Sequence, residues 1–455
     1  MMTASTPSGA RRAAPLLFLL ALSYMLSLFD RQLLVLMIGP IKRDMGISDT
    51  AFSLLYGFAF TIFYSSLSLV AAPLVDRLNR TRLLAGALVL WSLATAASGL
   101  VQSYEGLFVA RMLVGVGEAT LAPVAYSLIA DLFKPHQRTQ AFSIYAIGMF
   151  VGVGLSLSLG GHLIQMLEHL PPVELPVVGP VRAWQLAFLA ASVPGLVVAL
   201  GFLAAGEPTR GYAATASATE RASRPGWGAF LGAFRASGST LLFHHLAFAL
   251  LIGQGFANSL WLPTLFTRVR GWPLGEVGLI FAGVVVSAGF AGAYVGPRTI
   301  RALQRPGAPD AAIRVCVLAC AIGAAGVFTA ALATPDWAAV LGVWMTFFTI
   351  SVTAGPASAM IQLLMPPWAQ GRCGAFFTFF TQLLGSSLVP LSIALVGQHI
   401  FAGPGGLAPS LMTVAVVTYG LGAGLLWRIR DRFPGPSAEA RASTETQAAP
   451  VLRRV

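Results

Sequence analysis

The sequence predicts an all-α membrane protein with twelve transmembrane helices in two six-helix bundles. Three observations lead there. Of its 455 residues 56% are hydrophobic and 10% charged, with mean hydropathy +0.75, too little polar surface to cover a water-soluble domain. Twelve mainly apolar stretches of about 20 residues or more are each long enough to cross a hydrocarbon core about 30 Å thick. A long polar connection divides them into six and six, and a short motif recurs across the division.

In chain order, the polar start ends in Arg11 and Arg12 and leads into an apolar run like that of a secretion signal. The run continues through Asp30 to about Ile38 with no small-x-small cleavage site behind it, so it is expected to stay as span 1. The spans are expected at 16–40, 51–75, 83–103, 106–131, 138–163, 183–205, 240–266, 274–297, 311–333, 337–364, 372–398 and 409–428. They define an N-terminal bundle over 1–205, a linker over 206–238 and a C-terminal bundle over 239–430, followed by a disordered tail over 431–455. The linker is rich in Ala, Ser, Thr and Arg, with a short surface helix expected around Trp227 to Phe234. Gln137-Arg138-Thr-Gln-Ala141-Phe142 opens span 5 and Gly371-Arg372-Cys-Gly-Ala375-Phe376 opens span 11, which suits a duplicated transporter fold.

The net charge of +12 would suggest nucleic acid in a soluble protein. Here, of the 29 Lys and Arg, only Lys42, Arg43, Arg182, Arg268 and Arg270 fall on the side away from the termini, and Arg31 and Arg111 lie within spans. That asymmetry puts both termini in the cytoplasm of a cell (inner) membrane and makes the basic excess an orientation signal, with no nucleic-acid partner. Cys316, Cys320 and Cys373 read as packing residues in or beside spans. His244 and His245 diverge by about 100° on a helix and read as interfacial polar residues. No metal and no cofactor is expected.

The chemistry concentrates in the first bundle. An ionised side chain near the bilayer centre costs roughly 2.5 to 3.5 kcal/mol on insertion scales, yet span 1 carries Asp30 and Arg31, and span 4 carries Arg111 and Glu118. Asp30 and Glu118 come out at similar depth near the midplane, as candidates to share one cavity. A dehydrated carboxyl group holds its proton more tightly and a nearby arginine opposes this, which is what proton coupling requires. Arg111 and Glu118, seven residues apart, share one helix face at a separation of about 10 Å. Arg31 points about 100° away from Asp30 and reaches the same cavity less directly. The plainer alternatives are a static ion pair at Asp30 and an Arg111 that snorkels to the interface. Gln254 and Asn258, four apart in span 7, and Gln382 in span 11 could supply neutral hydrogen bonds to a substrate or serve as interhelical glue.

Asp76-Arg77-Leu-Asn79-Arg80-Thr-Arg82 joins spans 2 and 3. It could latch the cytoplasmic helix ends, with Asp76 near the positive N-terminus of span 11 and Arg80 near Asp131 at the end of span 4. Arg77, Arg138 and Arg372 complete the expected cytoplasmic gate; the alternative is an orientation signal alone.

The D-R-L-N-R-T-R stretch after span 2 and R-x-x-x-G-x-G from Arg111 resemble signatures of the major facilitator superfamily. F-D-R in span 1, R-x-L-V-G-V-G-E-A in span 4, I-A-D-L-F and Q-R between Ile129 and Arg138, and E-P-T-R-G at Glu207 resemble its Spinster branch. The chain departs from the pattern at Ala72 and Asn79, and span 5 has no clear Gly-Pro motif. The resemblance implies transport of sphingosine-1-phosphate or lysophospholipid-like anions, with Asp30 and Glu118 as protonation sites, Arg111 as a candidate partner for Glu118 or for an anionic headgroup, and Asp76 and Arg80 in the cytoplasmic gate.

The leading expectation is therefore a proton-coupled secondary transporter for an amphiphilic anion, working as a monomer by alternating access. A small organic acid or drug would suit the same residues. A membrane-embedded lipid-modifying enzyme would need a nucleophile and base or a metal, and no such set stands out. A sensor without turnover would have no need of acids at matched depths.

Overall fold

In the computed structural model, residues 7–168, 173–175, 179–208, 226–304, 310–403 and 405–432 are described. Twelve helices are long and apolar enough to cross a membrane: Ala13–Leu36, Asp49–Ser68, Arg80–Ser98, Tyr104–Leu132, His136–Leu167, Ala183–Ala205, Gly238–Arg268, Leu274–Leu303, Ala311–Leu332, Asp336–Leu364, Trp368–His399 and Leu407–Arg432. These are spans 1 to 12. An even number of crossings leaves both chain ends and the linker on one side, the linker face; the opposite side is the far face.

Local chemistry sets the helix starts. The side chains of Ser48, Asn79 and Ser103 each accept a hydrogen bond from the backbone N–H three residues on, opening spans 2, 3 and 4. Such caps satisfy donors that a helix start leaves unpaired. Span 1 ends earlier than expected, at Leu36, and after Met37 a separate helix, Ile38–Met45, lies at the far face. A two-stranded ribbon pairing Val173–Leu175 with Gly179–Val181 also lies between spans 5 and 6. The linker helix runs Trp227–Ala236. Most of the expected tail lies outside the described residues.

In the first bundle span 1 packs on span 5, and span 3 on spans 4 and 6; in the second, span 7 packs on 11 and 12, and span 9 on 10 and 12. The bundles meet along spans 2 and 11 and along spans 5 and 8. Three of these four seam helices contain wide π-helical turns, at Leu55–Ala59, Ser156–Gly160 and Thr381–Ser386, a local geometry frequent at functional sites. Gly57 sits in the first of them. A Cβ there would come within 2.8 Å of the Ser387 Cα, so only glycine lets spans 2 and 11 approach this closely.

Candidate functional site

Span 4 is two helices in line, Tyr104–Glu118 and Leu121–Leu132, with the interruption directly after Glu118. Pro123 explains it, because proline has no N–H to give to the carbonyl four residues back. The freed Ala119 carbonyl accepts from the Ser68 hydroxyl at 3.2 Å. The glycines of the span 4 motif bring this segment close to its neighbours. A Cβ on Gly115 would lie 2.5 Å from the Phe60 carbonyl oxygen of span 2, and one on Gly117 would lie 2.7 Å from the Trp91 side chain of span 3.

The four charged residues of spans 1 and 4 form two ion pairs. Arg111 Nη1 donates to Asp30 Oδ2 at 2.8 Å, and Thr95 donates to the other carboxylate oxygen at 3.2 Å. Arg31 reaches Glu118 Oε2 through Nη2 at 2.6 Å and Nε at 3.0 Å, and Ser27 donates to the same oxygen at 2.6 Å. Asp30, Arg111 and Glu118 are all buried. The expected pairing of Arg111 with Glu118 is therefore corrected. The partners are exchanged, and Arg31, which seemed to point elsewhere, is the one that meets Glu118. Helical side chains lean towards their own N-terminus; for Arg31 that is the linker face, where Glu118 lies beyond Arg111 on the opposite-running span 4. Asp30 is short and takes the guanidinium beside it. Nor does Arg111 snorkel outward: it is 1% exposed.

Both guanidiniums line one cavity at the seam. The Arg31 guanidinium carbon stands 4.0 Å from the Phe60 ring centroid and 4.7 Å from that of Tyr64, contacts that hold a cation over aromatic faces. Arg31, Arg111, Tyr56 and Phe60 face Phe256 and Gln382 of the second bundle. The cavity measures about 20 Å³, and a single water needs about 10–15 Å³, so in this conformation it is closed around little more than one water. Two polar atoms remain unpartnered here, Arg111 Nε and Glu118 Oε1. The spare Arg111 N–H can be given to an anion, and the spare Glu118 oxygen can accept a proton or a donor.

Of the neutral candidates, only Gln382 reaches this cavity. Gln254 and Asn258 are turned into their own bundle: Gln254 Nε2 donates to Asn258 Oδ1 at 2.8 Å, and Thr418 of span 12 donates to Gln254 Oε1 at 2.7 Å. Of the two expectations for this pair, these contacts are those of interhelical glue, because Gln254 faces span 12 and not the seam.

At the linker face, Arg80 is fully buried and bonds Asp131, Ser127 Oγ at 3.1 Å and Glu207 Oε1 at 2.6 Å. The other Glu207 oxygen accepts from the Thr81 backbone N–H at 3.0 Å. Glu207 was missed as a site residue, although its E-P-T-R-G context had drawn notice. All five lie on spans 3 and 4 and just after span 6, so this network braces the first bundle internally. Arg138 donates to the Ala130 and Phe133 carbonyls at 2.8 and 3.2 Å, closing the end of span 4. Arg372 donates to the Gly226 carbonyl at 3.2 Å, and Arg77 is exposed. Asp76 is the penultimate residue of its helix, and its side chain lies outside the described part of the structure.

The bundles are joined by a far-face contact that the sequence reading did not include. Arg268, at the end of span 7, makes a two-point ion pair with Asp49, at the start of span 2, at 2.7 and 3.0 Å; Lys42 also bonds Asp49. Thr50 donates to Gln398 at 2.6 Å, and the hydroxyls of Thr61 and Ser386 meet at 2.9 Å deeper in.

His244 and His245 also differ from expectation. Both are buried, bonded to the Ala357 and Leu241 carbonyls at 3.0 and 2.8 Å and packed against Phe377, with Phe234 of the linker helix over His245. Among the described residues no group of three or more His, Cys, Asp or Glu could hold a metal ion.

The model of the Major Facilitator Superfamily matches residues 20–390. An "MFS-type efflux pump" of Mycolicibacterium smegmatis is 27% identical over 93% of this chain and 94% of its own. "Protein spinster homolog 1" of Mus musculus is 28% identical over 86% of this chain and 75% of its own, and "Sphingosine-1-phosphate transporter SPNS2" of Danio rerio is 24% identical over 84% and 75%. The fold matches a bacterial homologue of the human lysosomal transporter Spinster, solved in an inward-facing, unoccupied conformation, with TM-score 0.78 and 20% identity over 94% of this chain and 98% of that one. This chain, a multi-pass membrane protein, belongs to the Major Facilitator Superfamily.

Proposed function

We propose that this protein is a proton-coupled secondary transporter that moves an amphiphilic anion of the sphingosine-1-phosphate or lysophospholipid kind by alternating access. The observation that carries the reading is the exchanged pair of buried ion pairs, whose two arginines line one cavity at the seam. An anionic headgroup entering between the bundles competes for the guanidiniums. A carboxylate that loses its arginine in a water-poor site is costly, and taking up a proton removes that cost. Substrate charge and proton thereby become alternatives at the same arginine, which is a means of coupling. Asp30 and Glu118 hold the protons, Arg31 and Arg111 receive the headgroup, and Gln382 adds a neutral contact from the second bundle. Asp76, Arg77 and Arg372 stand at a cytoplasmic gate whose first-bundle side is braced by Arg80, Asp131 and Arg138, with both termini in the cytoplasm of an inner membrane and the monomer as the working unit. The lipid class follows the Danio rerio relative named for sphingosine-1-phosphate. The Mycolicibacterium smegmatis relative, an efflux pump by name, favours a second reading in which the cargo is a smaller organic anion or drug.

The test is substrate-driven pH change in liposomes containing only this protein, with lysophosphatidic acid, sphingosine-1-phosphate and short organic acids compared. Wild type is expected to move protons with the lipid anions. Glu118→Gln should fold yet lose or shift the pH dependence, and Asp30→Asn should act on the same transition. The double variant should fall short of the sum, because members of one network are rarely additive. Unchanged pH midpoints in both single variants would remove these acids from the coupling and leave a uniporter with structural ion pairs.

A further inference from the structure

The sequence places Lys42 and Arg43 in the last turn of the short helix Ile38–Met45, after the break at Met37. That helix and the end of span 1 face the end of span 7 across a pocket of about 410 Å³ at the far face, within the size range of about 300–1,000 Å³ usual for small-molecule sites. Part of the lining is apolar, with Val35, Leu36, Pro263 and Trp272, and part is cationic, with Lys42, Arg43 and Arg268. Lys42 and Arg268 share the single carboxylate of Asp49. The next carboxylate on the short helix, Asp44, is taken up by Arg182 at 2.8 Å and the Trp184 indole at 2.6 Å. A latch needs one cation for one carboxylate. Here two converge on it, and most of their N–H groups have no protein acceptor among the described residues.

An apolar lining beside surplus cationic donors fits an amphiphile with an anionic head better than a bare anion or a neutral chain. We propose that this pocket is a second binding site, for the phosphate-bearing head of an anionic phospholipid of the far-face leaflet, with the phosphate on Lys42 and Arg268 and the start of the acyl chain over Val35, Leu36 and Pro263. Its lining comes from both bundles, Val35, Leu36, Lys42 and Arg43 from the first and Pro263 and Arg268 from the second. A lipid bound there loses half its contacts when the far face opens, so occupancy holds the far face closed. This regulatory consequence rests on alternating access; the binding itself does not.

The purified full chain is titrated in neutral detergent with a phosphatidic acid brominated on its acyl chains, and tryptophan quenching is followed in wild type and in Trp272→Phe. The part of the quenching that depends on Trp272 reports on this pocket alone. It should saturate with phosphatidic acid, weaken about tenfold in Lys42→Gln, the loss of one charge-assisted contact, and return in Lys42→Arg. Inorganic phosphate should displace the lipid only at far higher concentration. Equal quenching by phosphatidylcholine with the same chains would make this a groove for any lipid and overturn the proposal. So would displacement by inorganic phosphate as easily as by the lipid, the absence of a Trp272-dependent part, or unchanged affinity in a Lys42→Gln variant that melts like wild type. None of these readouts requires transport, so failure here is distinct from failure of the proton-coupling reading.

Discussion

The two bundles bury polar groups in different ways. In the first, spans 1 and 4 bury Asp30, Arg31, Arg111 and Glu118 as two ion pairs at the seam. In the second, span 7 buries Gln254 and Asn258 as a neutral chain of hydrogen bonds that ends on Thr418 of span 12, away from the seam. Buried charge repays its desolvation only when it is paired and hydrogen-bonded, while a buried amide asks only for a partner. At the seam the first bundle therefore carries groups whose energy changes sharply with protonation or a competing anion, while the Gln254, Asn258 and Thr418 chain carries no charge. A transporter that couples cargo to protons needs only one such responsive wall.

The sharpest test of the contrast is to break a pair on the charged side. Asp30→Ala leaves Arg111 buried without its acid and should cost about 3–5 kcal/mol, read as thermal unfolding in detergent. The double variant Asp30→Leu with Arg111→Met should recover much of that stability while transport stays lost. If the single variant melts like wild type, water reaches the pair and the two bundles differ less than the structure indicates. The far-face latch should come next. Asp49→Asn weakens a partly exposed ion pair by roughly 0.2–1 kcal/mol, a population shift towards far-face opening of at most about fivefold. Distances between spin labels on the far-face ends of spans 2 and 7 would report it, and an unchanged distribution would leave the closure to the contacts of Gly57 and Thr61. The smallest effect is expected in the neutral cluster. Gln254→Leu should cost about 0.6 kcal/mol, the average for interhelical hydrogen bonds in membranes, with transport and its pH dependence intact. Transport lost at full stability in this variant would return span 7 to the substrate pathway and break the comparison.

The sequence by itself determined the twelve crossings and that two acids and two arginines in spans 1 and 4 were special. Hydropathy is a property of a local stretch, and a charge inside an apolar run is conspicuous wherever the helix faces. It also held the reason for the break in span 4, since Pro123 frees a carbonyl in any context. Only the tertiary structure decided the partners. Spacing along one helix says which residues share its face, and the rotation that aims the face is set by packing against other helices. Hence Arg31 and not Arg111 meets Glu118, and Gln254 with Asn258 turns to span 12. Glu207, just past span 6, closes on Arg80, and His244 and His245, close to a helix start, are buried beneath phenylalanines, one of them from the linker helix. The far-face pocket is decided in the same way, because Lys42 and Arg268 lie 226 residues apart in the chain and only the packing of the two bundles brings both to the carboxylate of Asp49.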